Sequence, residues 1–317
     1  MRYTYTLENN TITIETGRTY AERPIQDLLD DLCISRPNRY TLLQEKRLLV
    51  NDVIAKQASC TIPLNAKVTV ILPEEDIDWV QAEEPCHVIY ENDFVMIVHK
   101  EPGIIIHGDT DDTSCLNAKV AKYLAMHDMH FPVRPIHRLD QDTTGLVLYS
   151  KIPFFQPWFD KQLEDKNITR HYMAIASGKK INVGTKFTCI DPIGRDRHNA
   201  GRYRISKTGK NARTNCECLA VKDGFCLIGC ALETGRTHQI RVHLSARGLP
   251  IVNDPLYGHP SHKFQYMGLW ADSLTFRDPL TRKKHKIHDD LDPDYSFFTT
   301  IFSEEERHEQ LALREVL

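Results

Sequence analysis

Long apolar runs and a secretion signal are both missing from this sequence of 317 residues. The longest apolar stretches, such as residues 68–72, are far too short to cross a bilayer. Residues 1–5 contain neither the apolar core nor the small-residue cleavage site of a signal peptide. These absences predict a cytoplasmic protein that has no membrane partner.

The nine cysteines are odd in number and scattered along the chain, which is not the pattern of a disulfide framework. Reduced thiols are therefore expected. A zinc site is conceivable where four cysteines share one predicted hairpin, at Cys216, Cys218, Cys226 and Cys230. Their spacing is not that of a finger or ribbon, so we expect no metal and favour burial as small apolar side chains.

A positive net charge is also missing, because the formal net charge is −3 at pH 7. The charges are unevenly distributed, however, with acidic clusters at residues 74–84 and 289–309. Between them lies a basic segment formed by Arg195, Arg197, Arg202, Arg204, Lys207, Lys210 and Arg213. Such a face attracts a phosphate backbone, although an ordinary solvated loop fits the composition about equally well.

The first part of the chain has the pattern of a small mixed domain. Alternating residues predict a hairpin of residues 3–7 and 11–15 around the Asn9-Asn10 turn. Two helices, beginning at Pro24 and near Asn38, and two strands, at residues 48–50 and 68–71, complete the pattern. We therefore predict a domain over residues 1–75 and an acidic linker over residues 76–86.

Residues 87–303 are predicted to form a larger domain, followed by a charged tail over residues 304–317. Its predicted strands cover residues 88–90, 94–98, 146–149, 172–176, 216–221 and 225–231. The last two flank an Asp223-Gly224 hairpin turn. A helix is predicted over residues 238–247, with Thr237 as its N-cap and Gly248 just past its end. Many strands with few helices indicate an α+β fold with a largely antiparallel sheet.

A polar loop over residues 134–145 carries the first group of candidate catalytic residues. It contains His137-Arg138-Leu139-Asp140-Gln141-Asp142 and ends at Gly145, directly before an apolar strand. A carboxylate here can act as a nucleophile or general base. On local composition alone, an Asx turn made by Asp140 or Asp142 is favoured. A protein kinase is excluded, since the glycine-rich phosphate loop and the Asp-Phe-Gly element are missing.

The second group lies within residues 232–243. Arg236 precedes the predicted helix, where it can hold an anion together with free backbone N–H groups. His238 and His243 are five residues apart and so do not share a helical face, which argues against a metal pair.

These two segments resemble the signatures of the RluA family of pseudouridine synthases. Three further segments, at residues 88–107, 170–174 and 209–214, occur in the family's order, and the resemblance extends over about residues 87–280. Gln141 replaces a residue that is usually basic, and Thr144 replaces a usual serine. More weakly, residues 22–75 are similar to the family's small αL RNA-binding module, for which the alternative is a structural cap.

The resemblance implies an enzyme without cofactor that isomerises uridine in structured ribosomal or transfer RNA, and a monomer is expected. It implies that Asp140 starts the reaction, paired with Arg236, and that Tyr172 stacks on uracil and helps to move a proton. It further implies that Arg138 fills the space left by the extruded base. The remaining expected RNA-binding residues are His137, His238, Arg241, Arg202, Arg204, Lys210, Arg36, Arg39 and Arg47.

Two alternatives belong to other functional classes. One is an RNA-binding protein on the same fold that has lost catalysis, and the other is a nucleoside hydrolase that uses Asp140 and releases free uracil. The joint presence of Asp140, Tyr172 and Arg236 favours the synthase. Because the five motifs all follow the acidic segment, residues 1–76 are expected to be dispensable for chemistry but not for capture of the RNA. A chain starting near Pro85 is expected to fold, since its core should not need these residues.

Overall fold

The N-terminal region folds as a five-stranded sheet with two helices. A computed structural model describes residues 3–109, 111–289 and 302 of the chain. Its N-terminal elements are β1 (Thr4–Glu8), β2 (Thr11–Glu15), β3 (Arg23–Pro24), α1 (Ile25–Asp31), α2 (Arg36–Gln44), β4 (Leu48–Val50), β5 (Val53–Ile54), β6 (Thr61–Ile62) and β7 (Lys67–Ile71). The sheet has the strand order β1-β2-β7-β4-β5, and β3 pairs with β6.

Local sequence signals explain these elements. Asn9 takes a left-handed conformation with φ of 53° and closes the predicted β1–β2 hairpin. Pro24 caps α1, which buries Ile25, Leu28 and Leu29 as the helical spacing predicts. Helix α2 begins two residues earlier than predicted, since the Ser35 hydroxyl accepts a hydrogen bond from the backbone N–H of Asn38.

The remaining described residues form a larger region built around one sheet. Its elements are β8 (His87–Glu91), β9 (Val95–Lys100), α3 (Leu116–Met126), β10 (Arg134–Pro135), β11 (Thr144–Ser150), a 3₁₀ turn (Pro153–Phe155), α4 (Gln156–Glu164), β12 (Thr169–Ser177), β13 (Lys186–Cys189), β14 (Ile193–Arg195), β15 (Tyr203–Ile205), β16 (Thr214–Lys222), β17 (Phe225–Leu232), α5 (Gln239–Ala246), β18 (Leu269–Arg277) and β19 (Lys284–His288). Among the described helices, none is long and apolar enough to cross a membrane.

The main sheet has ten strands in the order β13-β16-β17-β12-β18-β11-β9-β8, with β10 paired to β11 and β19 paired to β18. All its pairings are antiparallel except β11–β18. The α+β class with a largely antiparallel sheet is therefore confirmed. Gly145 lies at the parallel pairing, where a Cβ atom would approach the carbonyl oxygen of Ala271 to 2.3 Å, so only glycine fits there.

The N-terminal module packs directly on the larger region, and both contribute to one hydrophobic cluster. Apolar side chains of α1, β2 and β7 join Phe94, Ile152 and Phe155 in this cluster. The Tyr5 hydroxyl donates to Asp93 at 2.7 Å, and Arg282 donates to Asp31 at 2.9 Å. This shared core contradicts the expectation that the core of the larger region does not need residues 1–76.

Residues 76–86 contain no helix or strand, but they do not form a free spacer. Asp78 accepts a hydrogen bond from the backbone N–H of Val133, and the backbone N–H of Ala82 donates to the carbonyl of Ala118 in α3. The segment therefore follows the surface of the larger region. The charged tail predicted over residues 304–317 lies outside the described residues.

Candidate active site

A pocket of about 400 Å³ opens between the loop before β11, strand β12 and the start of α5. Asp140, Tyr172 and Arg241 all line it, as do Arg138, Arg170, Arg236 and His238. Both catalytic segments predicted from the sequence thus meet at one pocket.

A buried lysine holds the loop that carries Asp140. Lys100, at the end of β9, donates to the backbone carbonyls of Glu101, Ile104 and Gln141, at 2.7–2.8 Å. The backbone N–H of Gly103 also donates to the Gln141 carbonyl, at 3.0 Å. Burial lowers the pKa of Lys100 to about 7, against the opposing charges of nearby carboxylates. The segment before α3 and the Asp140 loop are therefore held as one unit.

Asp140 forms its ion pair with Arg241, and the predicted pairing with Arg236 is wrong. Nη1 of Arg241 lies 3.1 Å from Oδ2 of Asp140, while Nε and Nη2 bind the two carboxylate oxygens of Asp254 at 2.8 and 2.9 Å. Burial disfavours charge on Arg241, but the hydrogen bonds and charges of Asp254 and Asp140 outweigh it and raise the pKa of the guanidinium. One buried arginine thus bridges two carboxylates.

The backbone at the start of α5 explains why Arg241 and not Arg236 reaches Asp140. His238 takes a left-handed conformation with φ of 57° and occupies the N-cap position, so the prediction of Thr237 as N-cap is wrong. This turn leaves Arg236 exposed, with its Nε donating to the carbonyl of Asn211 at 2.9 Å. The helix itself carries Arg241 inwards, and Gly248, with φ of 76°, follows its end as predicted.

Tyr172 lies on β12 and is 4% exposed. The pairing register between β12 and β18 is irregular at this residue, between His171 and Met173. Burial raises the pKa of the Tyr172 phenol, the Arg170 charge opposes the shift, and the Asp140 charge adds to it. The hydroxyl is thus held in its protonated form beside the catalytic pocket.

Two residues expected to bind RNA are buried instead. His137 is 8% exposed, and its Nε2 accepts a hydrogen bond from the backbone N–H of Leu148 at 3.3 Å. Burial, followed by the charge of Arg170, lowers the pKa of His137 to about 3, so the ring is neutral. Arg241 is 3% exposed and forms ion pairs with Asp140 and Asp254. Neither side chain is placed to bind a phosphate group of an RNA.

Other expected RNA-binding residues lie at the surface. Arg138 is exposed at the pocket, and Arg204 and Lys210 are exposed on or beside the β14–β15 hairpin. Arg202 is half-buried, with its Cζ 5.2 Å from the centre of the Tyr257 ring. The Nδ1 atom of half-buried His238 lies 2.9 Å from the hydroxyl of the same tyrosine.

The N-terminal basic residues are mostly occupied within their own module. Arg39 pairs with Asp30 and donates to the carbonyl of Ile34, and Arg47 pairs with Glu45 and donates to the carbonyl of Leu72. Arg36 is exposed and makes no ion pair or hydrogen bond within the described chain. Of these three arginines, Arg36 is therefore the best placed to meet RNA.

Sequence reasoning missed three residues that support the site: Lys100, Asp254 and Tyr257. All three residues lie within the part of the chain that resembles the family, about residues 87–280, so their importance could have been inferred from that resemblance. The spacing of residues alone does not show which carboxylate pairs with which arginine. The cysteines at 216, 218, 226 and 230 are buried and free, as predicted. Across residues 3–109 and 111–289, no three His, Cys, Asp or Glu side chains are grouped as a metal site.

Comparisons with known proteins agree with this pocket. Residues 94–246 match the family model described as RNA pseudouridylate synthase. An uncharacterized RNA pseudouridine synthase of Bacillus subtilis, YhcT, is 38% identical over 237 residues, which are 74% of this chain and 76% of the relative. Ribosomal large subunit pseudouridine synthase D of Vibrio vulnificus is 30% identical over 290 residues, covering 84% of this chain and 86% of the relative.

Among solved structures, human RNA pseudouridylate synthase domain containing 1 is similar with a TM-score of 0.58 and 22% identity. The match covers 73% of this chain and 95% of that chain, and it shows the same fold. With the family model and the sequence relatives, it gives one consistent assignment. The chain belongs to the RluA family of RNA pseudouridine synthases, which are isomerases.

Proposed function

We propose that Asp140 initiates the isomerisation of a uridine in structured ribosomal or transfer RNA, with Arg241 fixing its orientation. The observation that carries the proposal is the bridge from Asp140 through Arg241 to Asp254. The Asp254 side chain is fully buried, whereas the Asp140 side chain is 22% exposed in the pocket. Asp140 is therefore the carboxylate of the pair that a substrate can reach.

The reaction exchanges one bond to the sugar for another. The glycosidic C–N bond breaks, uracil rotates, and a C–C bond forms to the same sugar carbon, while a proton leaves the base carbon and the nitrogen gains one. No electrons are gained or lost overall. An ionised Asp140 starts this exchange either by attacking the anomeric carbon or by removing a sugar proton.

Arg241 supports this role through its rigid geometry. Its planar fork makes two hydrogen bonds to Asp254, which leave Nη1 directed at Asp140. Tyr172 lines the same pocket, where its ring can stack on the uracil and its hydroxyl can take part in the late proton transfer. Exposed Arg138 is available to fill the space that the extruded base leaves.

The kind of RNA is inferred from the relatives and from charge. Several relatives are named ribosomal large subunit pseudouridine synthase D, and the basic β14–β15 hairpin lies beside the pocket. We expect a monomer acting on ribosomal or transfer RNA in the cytoplasm. A non-catalytic RNA-binding protein is disfavoured, because it would have no need to retain a half-exposed carboxylate bridged to a buried arginine.

Mapping pseudouridines in RNA from cells that lack this gene tests the proposal. One or more sites should lose pseudouridine, and the wild-type gene should restore them. An Asp140→Asn variant should restore none, because the neutral amide cannot initiate the reaction, yet it should bind the RNA with nearly unchanged affinity.

Asp142→Asn is the matched control for this experiment, since Asp142 lies in the same loop and makes no ion pair within the described chain. It should restore the modification. Pseudouridine formation by a verified Asp140→Asn protein would exclude Asp140 as the initiating carboxylate. Release of free uracil from the RNA would instead indicate a hydrolase.

A further inference from the structure

Arg170 is a cation in the active-site pocket to which the reaction described above gives no role. It stands two residues before Tyr172 on β12, and both residues line the pocket with Asp140. The Nε atom of Arg170 is buried without a hydrogen-bond partner. Within the described part of the chain, no carboxylate lies within ion-pair distance of its guanidinium.

Two of the three acidic residues that line the pocket form ion pairs with residues other than Arg170. Asp140 pairs with Arg241, and Glu233 pairs with Arg213 and Lys166. Glu164 is exposed at the end of α4 and makes no ion pair with Arg170. Among the described residues, the guanidinium of Arg170 therefore has no carboxylate partner, although its Nε atom is withdrawn from water, and such a placement costs stability.

The missing side chain of Gly235 leaves space for the guanidinium of Arg170. A Cβ atom on Gly235 would lie 3.1 Å from Nη1 and 3.2 Å from Nη2 of Arg170, so the guanidinium rests against the bare backbone. The next residue, Arg236, is exposed, and its guanidinium donates a hydrogen bond from Nε to the carbonyl of Asn211. Arg170 thus rests against Gly235, Arg236 directly follows this glycine, and both arginines line the pocket.

We propose that Arg170, with Arg236 beside it, binds a phosphate group next to the target uridine. This inference deepens the proposed function and rests on RNA being the substrate. A flipped uridine carries its own 5′ and 3′ phosphates to the pocket, and a guanidinium fork matches the oxygens of a phosphate group. The substrate would thus supply the anion that Arg170 does not find among the described residues.

Thermal unfolding of the free protein separates this role from a structural one. Arg170→Gln should unfold at the same temperature as the wild type or higher, because an unpaired cation is removed. If Arg170 instead stabilised the fold, its replacement would lower the unfolding temperature. Lys222→Gln is the control, since it removes one exposed positive charge at the opposite end of the same sheet, where β16 turns into β17.

Binding of uridine 3′,5′-bisphosphate and of uridine, measured by calorimetry, tests the phosphate contact. The bisphosphate should bind Arg170→Gln about tenfold more weakly than it binds the wild type or Lys222→Gln. Uridine should bind all three equally. Gly235→Ala keeps both charges but crowds the Arg170 guanidinium, so its affinity for the bisphosphate should be intermediate.

Equal bisphosphate affinity in wild type and Arg170→Gln would overturn the proposal, as would a lowered unfolding temperature of the free Arg170→Gln protein. The bisphosphate carries no RNA sequence, so these results do not depend on which RNA is the natural target. A wrong assignment of the target RNA or of Asp140 would appear in the pseudouridine map and would leave the calorimetric comparison intact.

Discussion

At the scale of single residues, Arg241 and Arg236 differ in what they touch. Arg241 is buried between two carboxylates, whereas the side chain of Arg236 is exposed and donates to the backbone carbonyl of Asn211. Arg241→Lys keeps a positive charge but cannot make both sets of contacts, so kcat should fall by about 100-fold, the loss expected of a misplaced catalytic group.

Arg236→Lys is the control for that variant, and it should keep kcat close to the wild-type value. Single-turnover kinetics with saturating enzyme measures both rates on the same RNA. If Arg236→Lys lost as much activity as Arg241→Lys, Arg236 would also be required for chemistry in the RNA-bound state.

The catalytic site was only partly predictable from the sequence. Asp140 and Tyr172 line one pocket, as the resemblance implied, because Asp140 lies in the loop just before β11 and Tyr172 lies within β12. The choice between the two arginines depends on the left-handed turn at His238, which spacing does not reveal. His137 was misassigned for a related reason, since a polar side chain beside Arg138 gives no sign that it points inwards to Leu148.

The neutral, buried His137 ring should make the protein sensitive to acid. Its pKa is lowered to about 3 in the fold, from an ordinary value of 6.5. Between these values the unfolded chain binds a proton that the folded protein does not. The free energy of unfolding should therefore fall as the pH falls from about 6.5 towards 3, by about 1.4 kcal/mol per pH unit for one such group.

Urea unfolding at several pH values measures this dependence. His137→Gln should show a shallower slope between pH 6.5 and 4 than the wild type, whatever its stability at pH 7. Replacing the exposed His262 by Gln is the control and should leave the slope unchanged. An identical slope in wild type and His137→Gln would show that this histidine does not govern the acid response.

At the scale of elements, the β14–β15 hairpin is attached to α5 through Tyr257. The Tyr257 hydroxyl accepts a hydrogen bond from the backbone N–H of Tyr203 at 2.7 Å. The guanidinium of Arg241 lies over the same ring, with its Cζ 5.2 Å from the ring centre. One tyrosine thus contacts both the basic hairpin and the arginine that pairs with Asp140.

Tyr257→Phe should separate these two contacts. The ring stays beside Arg241, so kcat at saturating RNA should remain within about twofold, a small change for an intact orienting contact. The hairpin loses a hydrogen bond of about 1 kcal/mol, so RNA affinity should fall about fivefold. Filter binding and single-turnover kinetics measure the two quantities, with the exposed Tyr40→Phe as the control. A fall in kcat without a change in affinity would contradict this division.

Predictions of elements succeeded where the local signal was strong. The β16–β17 hairpin formed as expected, with Asp223 and Gly224 both at positive φ. Helix α3 was missed although its apolar residues recur at helical spacing, and α4 was missed although Pro157 stands in its first turn. Strand β18 was missed because eight of its nine residues are buried, so that it shows no alternation.

At the scale of the whole molecule, the N-terminal module is a structural partner of the catalytic region. Arg282 of the larger region donates to Asp31 of α1 and lies 3.9 Å above the Trp158 ring, and the Tyr3 backbone N–H donates to the carbonyl of Leu280. A chain starting near Pro85 would expose Phe94, Phe155 and their apolar neighbours. It should therefore aggregate or unfold well below the wild-type temperature, contrary to the expectation from the sequence.

Circular dichroism and light scattering of the shortened protein measure this outcome. The full-length Arg36→Gln variant is the control, because it removes an exposed charge of the module without touching the shared core. It should fold normally, and any loss of RNA affinity in it reports on binding alone. A shortened protein with wild-type stability would show that the shared core is dispensable.

The parallel pairing of β11 with β18 also sets when the enzyme becomes active during its synthesis. The loop carrying Asp140 leads into β11, while Asp254 and β18 are translated much later in the chain. A nascent chain that ends before Asp254 already contains Asp140. It lacks Asp254, which binds Arg241, and β18, which pairs with β11 at Gly145. Such an unfinished chain is still on a ribosome, surrounded by RNA, and it should become competent to modify RNA only after Asp254 and β18 have been translated.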